Sequence, residues 1–404
     1  MKLFKDFLVI VFIPITLFLK IISPIIKVRW SKVYFPDRIG HLVAELEHYL
    51  HLTKNKSFFC LDLFPKDIFI NNKPCNSFLQ KHYRDKVIKV DRKIITLLQR
   101  SQKIIERFIK ILKSHNIDQL LSTRDNFRIF DKNFKPSIKF SKPEKKIIKK
   151  ELYKIGLKKN QKFVCLIVRD AKYLNNRFNF DTTYHNYRDC NVQNFKKGIK
   201  YLLDKGFFVF RMGKLQDEKL HFKNKNFLDY AFSKYRSDLM DVWLMSNCNF
   251  CISTGTGLDQ IARVFKRPTL LINHLPIVEW SSHFKSLTHP KFLFNVNKKR
   301  YLNLKEYIKH SYYRKKQYDK NFIKIIELND KQVLDCIKEF LLLLNTNWKI
   351  SEQKRKNQFN LNRFFKKYLK EHHPNIDFHK NIHKHALISS NFLKKTKLIS
   401  RKDI

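Results

Sequence analysis

Glycine is scarce in this sequence, with 7 residues in a chain of 404. Two of them, Gly255 and Gly257, nevertheless lie one residue apart, between a strand-like run at 250–253 and a helical pattern that begins at Leu258. Glycines in such a turn either provide a backbone with positive φ or let the backbone approach an anionic ligand closely. The stretch lacks the complete dinucleotide-binding and Walker fingerprints, which argues against a nicotinamide or flavin cofactor.

Cysteine is also infrequent, and the 7 residues are odd in number and scattered. They form no disulfide framework, which fits a reducing compartment. Cys248 and Cys251 make one C-x-x-C at the start of a predicted strand, whereas a redox pair needs a helix N-terminus, and no second pair completes a zinc site. Five histidines at 372–387 lack acidic or cysteine partners at ligand spacing and indicate a basic surface segment. We therefore expect neither a metal nor a cofactor.

Acidic residues are few: 35 Asp and Glu stand against 83 Lys and Arg, a net charge of +48. Such a balance suggests a polyanionic partner, either nucleic acid or an anionic membrane surface. The positive charge is spread along the whole chain, however, and no RNA-recognition signature, zinc-finger spacing or basic-region heptad is present. We therefore do not predict nucleic acid as a partner. The hydrophobic content of 43% is ample for folded cores.

Long apolar runs are absent except at the N-terminus, where residues 7–26 are almost wholly apolar apart from Lys20 and two prolines. This length is sufficient to cross a bilayer, although the lysine and the prolines weaken that case. Basic residues flank both ends, so charge asymmetry does not set an orientation. We expect residues 1–28 to associate with a membrane, by spanning it or by lying in its interface. A buried core helix is the alternative.

Strands and helices alternate along the rest of the chain. Residues 29–64 predict a β-α-β unit, and a polar, irregular stretch at 124–142 separates it from a second series of strands and helices. That second series predicts a parallel, doubly wound sheet. The expected domains are therefore 29–140 and 141–345, both α/β, followed by a basic C-terminal tail at 346–404.

Polar residues follow the strands of the second series, and the carboxyl ends of parallel strands share one edge of a sheet. One predicted strand ends in Arg169 and Asp170, the next in Arg211, and the run at 250–253 leads into Thr254. Arginine at the end of a buried strand requires an anion or a carboxylate. This edge therefore predicts either a phosphate-binding site or internal arginine–aspartate pairs that hold the loops.

Short motifs along the chain resemble those of a bacterial family of glycosyltransferases. Their order and spacing carry the likeness, which runs from about residue 38 to the C-terminus. The motifs are RIGHL (38–42), VRDAKY (168–173), YRDCNV (187–192), RMG (211–213), DYA (229–231), SDLMDVWL (237–244), TGTGL (254–258) and ISSNFL (388–393). One motif departs from the family pattern Tyr-Arg-Asn-x-Asp, because here Asp189 and Asn191 have the acidic and amide groups reversed.

The resemblance implies a GT-B-like enzyme, with two Rossmann-like domains of which the second binds a nucleotide-sugar and the first a glycan, polysaccharide or lipid-linked acceptor. We expect a place on the cytoplasmic side of the inner membrane, with the chain anchored by its N-terminus or peripheral. Transfer of the sugar must stabilise a departing diphosphate, and fixed cations and helix N-termini do this where no metal takes part. The candidate donor-binding residues are Arg169, Arg188, Arg211, Gly213, Ser253, Thr254, Gly255, Thr256, Gly257 and Asp238.

Two points remain open in the sequence. Asp238 and Asp241 follow Ser237 at helical spacing, so they complement the dipole of a helix or contact sugar hydroxyls. The general base that an acceptor hydroxyl needs is either His41, which lies with Asp37 in the first β-α turn, or Asp170. A basic protein without catalytic activity, which binds nucleic acid or an anionic membrane, is the alternative to the transferase.

Overall fold

The computed structural model of the protein describes residues 2–22, 25–30, 38–53, 60–66, 74–108, 133–179, 181–280, 284–373 and 384–396. The chain divides into two compact units. The first comprises Met1–Arg124 with Asp131–Lys139, and the second comprises Asp125–Phe130 with Phe140–Ile404. No helix in the described ranges is long and apolar enough to cross a membrane.

The first unit is built on a three-stranded parallel sheet in the order β1-β2-β3. Its elements are α1 (Lys2–Ile21), β1 (Lys27–Trp30), α2 (Ile39–Thr53), β2 (Cys60–Pro65), α3 (Ser77–Arg84), β3 (Ile88–Val90) and α4 (Arg92–Phe108). The predicted β-α-β unit is present as β1, α2 and β2, with Lys27 opposite Cys60 in the parallel register. Helices α1 and α4 pack against each other, and Trp30 is buried between α4 and residues of α1.

The second unit contains a seven-stranded parallel sheet in the order β13-β9-β8-β7-β4-β5-β6. Its first half consists of α5 (Lys142–Ile155), β4 (Phe163–Ile167), α6 (Lys172–Arg177), two 3₁₀ turns (Thr183–Arg188 and Val192–Phe195), α7 (Lys196–Asp204), β5 (Phe208–Arg211), β6 (Phe227–Leu228), α8 (Asp238–Asn247) and β7 (Phe250–Ser253). Helix α5 begins as the sequence predicts, because Ser141 and Glu144 form a capping box.

The second half of this unit adds further strands on the other side of β7. It consists of α9 (Asp259–Val264), β8 (Thr269–Ile272), β9 (Ser286–His289), β10 (Phe292–Asn295), β11 (Arg300–Tyr301), α10 (Leu304–Lys309), α11 (Lys315–Lys320), β12 (Ile323–Ile326), α12 (Asp330–Asn345), α13 (Glu352–His372), β13 (Ala386–Ile388) and α14 (Ser390–Lys395). Strands β10, β11 and β12 form a small antiparallel sheet. The α/β class with parallel sheets is thus the observed fold.

Residues near the C-terminus take part in the main sheet. Strand β13 pairs with β9 in parallel, and the backbone N–H of Ser389 donates to the carbonyl of Thr288 at 2.9 Å. The carboxylate of Glu339, on α12, accepts hydrogen bonds from Ser389 Oγ and from the backbone of Ser390. The motif ISSNFL therefore docks on the sheet. Most of the histidine-rich stretch at 372–387 lies outside the described residues.

Buried parallel strands determine where ligand-binding groups must emerge. Every side chain of β4, β5, β7 and β8 is buried, as expected for a sheet that helices cover on both faces. Polar chemistry is therefore confined to the loops beyond the strand ends. The loops after β4, β7 and β8 are neighbours because these strands pair directly.

Candidate functional site

The carboxyl ends of β4 and β7 are tied together by backbone contacts. The N–H of Thr254 donates to the carbonyl of Ile167 at 3.1 Å, and the N–H of Arg169 donates to Thr254 Oγ1 at 2.9 Å. Thr254 is buried, and its hydroxyl has a structural role in this junction. The junction fixes the positions from which Arg169 and the glycine turn project.

Two arginines, Arg169 and Arg188, lie close together at this edge, and the first is paired with a carboxylate. Arg169 Nε donates to Asp189 Oδ1 at 2.9 Å. Burial, followed by the positive charge of Arg188, lowers the pKa of Arg169. Burial also raises the pKa of Asp189 in spite of the arginine beside it. This part of the edge therefore has more positive than negative side chains and is half-buried, and both properties favour the binding of an anion.

Arg188 is the less satisfied of the two arginines. Its Nη2 donates to the carbonyl oxygen of Gly255, while its buried Nε has no hydrogen-bond partner. Within the ranges that the structure describes, no carboxylate forms an ion pair with it. A half-buried guanidinium in this state keeps donors available for an anionic ligand.

A buried lysine, Lys291, adds a third cation to this edge. It follows β9, and its Nζ donates to the backbone carbonyl of Asp189 and lies 3.6 Å from Glu327 Oε1. Its position could not be predicted from the sequence, because a lone lysine after a strand belongs to no recognisable motif. Lys291 holds the backbone at Asp189 and so supports the position of the adjoining Arg188.

The glycine turn is explained mainly by its own geometry. Gly255 has a φ of +82°, and a Cβ at this position would lie 2.6 Å from Nδ1 of His274. The N–H groups of the turn are largely engaged: Gly255 donates to Ser253 Oγ at 3.0 Å, and Thr256 donates to Asp259 Oδ2 at 2.9 Å. We therefore correct the expectation that the N–H groups of 254–257 form an open phosphate cradle.

The buried carboxylate of Asp259 holds this turn closed. It accepts a hydrogen bond from Ser253 Oγ at 2.7 Å, in addition to that from Thr256. Ser253 is thus reassigned from ligand binding to the support of the turn. Gly257 is exposed at its tip. The hydroxyl of Thr256 is buried without a hydrogen-bond partner, so it remains available to a ligand beside Gly255.

Replacing Gly255 by alanine is expected to lower the free energy of unfolding by about 2–4 kcal/mol, since it combines a left-handed backbone with a steric clash. Gly156→Ala is the matched control, because Gly156 has a φ of +86° and nothing within 4 Å of an added Cβ. That change is expected to lower the free energy by about 1–2 kcal/mol. Denaturant unfolding measures both values. Equal losses would show that contact with His274 is unimportant.

His274 is a second residue that the sequence analysis missed. It follows β8 and is buried; its Nε2 donates to the carbonyl of Glu279 at 2.8 Å, because a carbonyl can only accept. Nδ1 is then the unprotonated nitrogen, and it has no hydrogen-bond partner. Burial, with the neighbouring charge of Arg188, lowers the pKa of His274 to about 4. The imidazole is therefore neutral at pH 7.

This pKa makes the second unit sensitive to acid. The unfolded chain protonates His274 with a pKa of about 6.5, so between the two pKa values it binds a proton that the folded chain does not. Stability is present above the unfolded pKa and is lost as the pH falls toward the folded one. At about pH 5 we expect acid to lower the free energy of unfolding of His274→Gln by about 2 kcal/mol less than that of the unaltered protein. Urea unfolding at two pH values measures it, and parallel losses in both proteins would contradict the assignment.

Arg211 lies in the interior, where both of its terminal nitrogens are hydrogen-bonded although its Nε has no partner. Its Nη1 contacts Asp229 Oδ2 at 3.1 Å and donates to the carbonyl of Glu218, while Nη2 donates to Gln216 Oε1 at 2.8 Å. Only 1% of the residue is exposed. We therefore reassign Arg211 from the phosphate site to the support of the loop after β5. Gly213 belongs to the same support, since a Cβ there would lie 2.8 Å from the Gln216 side chain.

Asp238 forms an ion pair near the start of α8. Its Oδ1 accepts from Arg236 Nη2 at 2.9 Å, and the same nitrogen donates to Asp241 Oδ2 at 2.9 Å. Burial raises the pKa of Asp241 to about 6. Ser237 caps the helix, as the sequence predicts, by accepting from the N–H of Met240. These contacts favour the structural explanation of Asp238 over contact with a sugar.

The two candidate bases belong to different units. Asp170, after β4, accepts from the N–H of Lys172 at 3.1 Å and from that of Asp217 at 3.0 Å, and burial raises its pKa. His41, on α2 of the first unit, contacts Glu45 Oε1 through Nδ1 at 2.6 Å. Asp37 lies outside the described residues. The described ranges contain no group of three or more His, Cys, Asp or Glu residues able to hold a metal ion.

Comparison with known proteins gives one structural likeness. No protein-family model matches the sequence, and no curated protein matches it. Among solved structures, the chain is similar to the ADP-heptose LPS heptosyltransferase II of E. coli, with 11% identity and a TM-score of 0.40. The likeness covers 79% of this chain and 100% of that one.

Proposed function

We propose that the protein is a glycosyltransferase that binds a nucleotide-diphosphate sugar at the carboxyl edge of the seven-stranded sheet. The observation that carries this proposal is the arginine pair of Arg169 and Arg188, of which the second has no carboxylate partner among the described residues. The resemblance of the motifs VRDAKY, YRDCNV and TGTGL to those of bacterial glycosyltransferases supports it, since they contain these arginines and the turn.

Charge stabilisation is the chemistry that this edge offers. When the bond between the sugar and the diphosphate breaks, negative charge grows on the departing phosphate oxygens. Guanidinium groups that are already held in place stabilise this charge by paired hydrogen bonds, and one such donor contributes about 10²–10³ in rate. The Thr256 hydroxyl is placed to add a hydrogen bond. In this proposal the side-chain cations do the work for which other transferases use a metal.

Deprotonation of the acceptor hydroxyl requires a base within hydrogen-bond reach of it. We propose Asp170 for this role within the second unit, because burial already raises its pKa toward the range useful for proton transfer. His41 is the rival from the first unit. The acceptor is proposed to be a glycan or polysaccharide intermediate, as the family resemblance implies.

Ligand-induced thermal shift tests the proposal. The purified chain is heated with ADP, GDP, UDP, CDP, dTDP or CMP, each in EDTA and in Mg²⁺. We expect one diphosphate to raise the melting temperature in EDTA, since a ligand that binds only the folded state stabilises it. Stabilisation that occurs only with Mg²⁺ would contradict the metal-free site. No response to any nucleotide, together with salt-sensitive binding to RNA, would favour a basic binding protein instead.

A further inference from the structure

Helix α1 of the first unit has its polarity reversed relative to a helix on a water-facing surface. Over residues 7–21, whose side chains the structure describes, the exposed positions of α1 are all apolar, and the large ones lie at helical spacing. They are Phe7, Ile10, Val11, Ile15, Phe18 and Ile21, with exposed fractions of 45–73%. Pro14 lies on the same side and is also exposed. Positions 7, 11, 14, 18 and 21 repeat every three or four residues and so follow one face of the helix.

Two polar residues in the described part of α1, Thr16 and Lys20, are buried in the protein. Thr16 is fully buried, and its Oγ1 lies 2.6 Å from Ser101 Oγ of α4. Lys20 is also buried, with its Nζ 3.9 Å from Glu106 Oε1. Burial lowers the pKa of Lys20. Water as the only solvent would favour the opposite arrangement, because burial of a polar group carries a penalty and exposed apolar surface gains nothing.

The helix that packs on α1 has four exposed basic side chains. Helix α4, on which α1 packs, has exposed side chains at Lys93, Arg100, Lys103 and Arg107. An apolar helix face next to exposed lysines and arginines matches the interface of a bilayer with anionic headgroups, where apolar side chains enter the acyl boundary and cations meet phosphate. A protein partner would not require this combination.

We infer that α1 is an in-plane membrane helix: its face of Phe7, Ile10, Val11, Ile15, Phe18 and Ile21 inserts into the surface of an anionic bilayer, while its other face stays packed on α4. This inference is independent of the proposed reaction, since it concerns the first unit and the donor edge belongs to the second. It gives the N-terminal segment a specific role, that of holding the chain at a lipid surface.

Vesicle co-sedimentation of the full chain tests the inference. The vesicles are phosphatidylcholine alone or an equal mixture of phosphatidylcholine and phosphatidylglycerol. We expect binding to the mixture, and we expect Phe7→Ser with Phe18→Ser to lower the partition coefficient by about tenfold or more. The matched control is Phe322→Ser with Phe359→Ser, which changes two equally exposed phenylalanines of the second unit and leaves binding unchanged.

Further variants distinguish attraction to charged lipids from insertion of apolar side chains, and an in-plane helix from one that spans the bilayer. Arg100→Gln with Arg107→Gln should weaken binding to the anionic mixture and leave any binding to phosphatidylcholine unchanged. Ile10→Trp and Ile21→Trp should be quenched alike by lipids brominated near the headgroup, because two positions eleven residues apart on an in-plane helix lie at one depth. Retained vesicle binding by the serine pair would overturn the inference. The inference would also be overturned if the chain bound no vesicles and instead formed a dimer in light scattering that Phe7→Ser with Phe18→Ser dissociates.

Discussion

Replacing Arg188 by alanine is expected to weaken the binding of the stabilising nucleoside diphosphate by about 10- to 100-fold, the effect of losing a charged hydrogen-bond donor from a half-buried site. The reason lies in its surroundings. Arg188 contacts the carbonyl of Gly255, and its Nε has no partner, so its removal disturbs few internal contacts. The loss should therefore appear in affinity and not in the stability of the unliganded protein.

Calorimetric titration in EDTA measures this affinity. Arg188→Lys keeps the charge but loses the paired donors, so an intermediate affinity is expected. Arg355→Ala is the control, because Arg355 is an exposed arginine on α13 of the same unit, outside the loops that follow β4, β7 and β8, and it should bind as the unaltered protein does. An Arg188→Ala protein with full affinity would remove this residue from the donor site.

Replacing Asp229 by alanine is expected to lower the free energy of unfolding by about 3–5 kcal/mol, because it leaves the buried guanidinium of Arg211 without its counter-charge. Asp229 Oδ2 also accepts from the N–H of Leu220 at 2.7 Å, so the change frees a buried donor as well. The matched control is Asp319→Ala, whose partner Lys315 is exposed, and which should alter the free energy by less than about 1 kcal/mol.

A double variant decides whether the charge or the shape at this position matters. Arg211→Leu with Asp229→Leu removes both charges and is expected to be more stable than Asp229→Ala alone. Denaturant unfolding gives all three values. If Asp229→Ala unfolded at the same denaturant concentration as Asp319→Ala, Arg211 would not depend on its carboxylate, and its reassignment to a structural role would fail.

The sequence was most informative where burial is complete on both faces of an element. Strands β4, β5, β7 and β8 are continuous apolar runs, which is why their alternation with helices predicted the parallel sheet. Strand β9 reads Ser-Leu-Thr-His, and all four of its residues are buried in the folded unit although three are polar. No local pattern could have revealed it.

The site shows the same division between local and tertiary information. The sequence predicted both Arg188 and Arg211 as phosphate ligands. The structure distinguishes them, because folding brings the carboxylate of Asp229, 18 residues further along the chain, to Arg211. The contact of His274 with Gly255 likewise joins the ends of two neighbouring strands. Spacing along the chain predicted that cations gather at this edge, but only the fold shows which cation is left for a ligand.

A crystal structure of the complex with the stabilising nucleoside diphosphate tests the central claim most directly. The account predicts that the diphosphate contacts the guanidinium groups of Arg169 and Arg188 beside Gly255, with the Arg211–Asp229 pair unchanged. A nucleotide bound elsewhere, with Arg188 free of any phosphate contact, would contradict it.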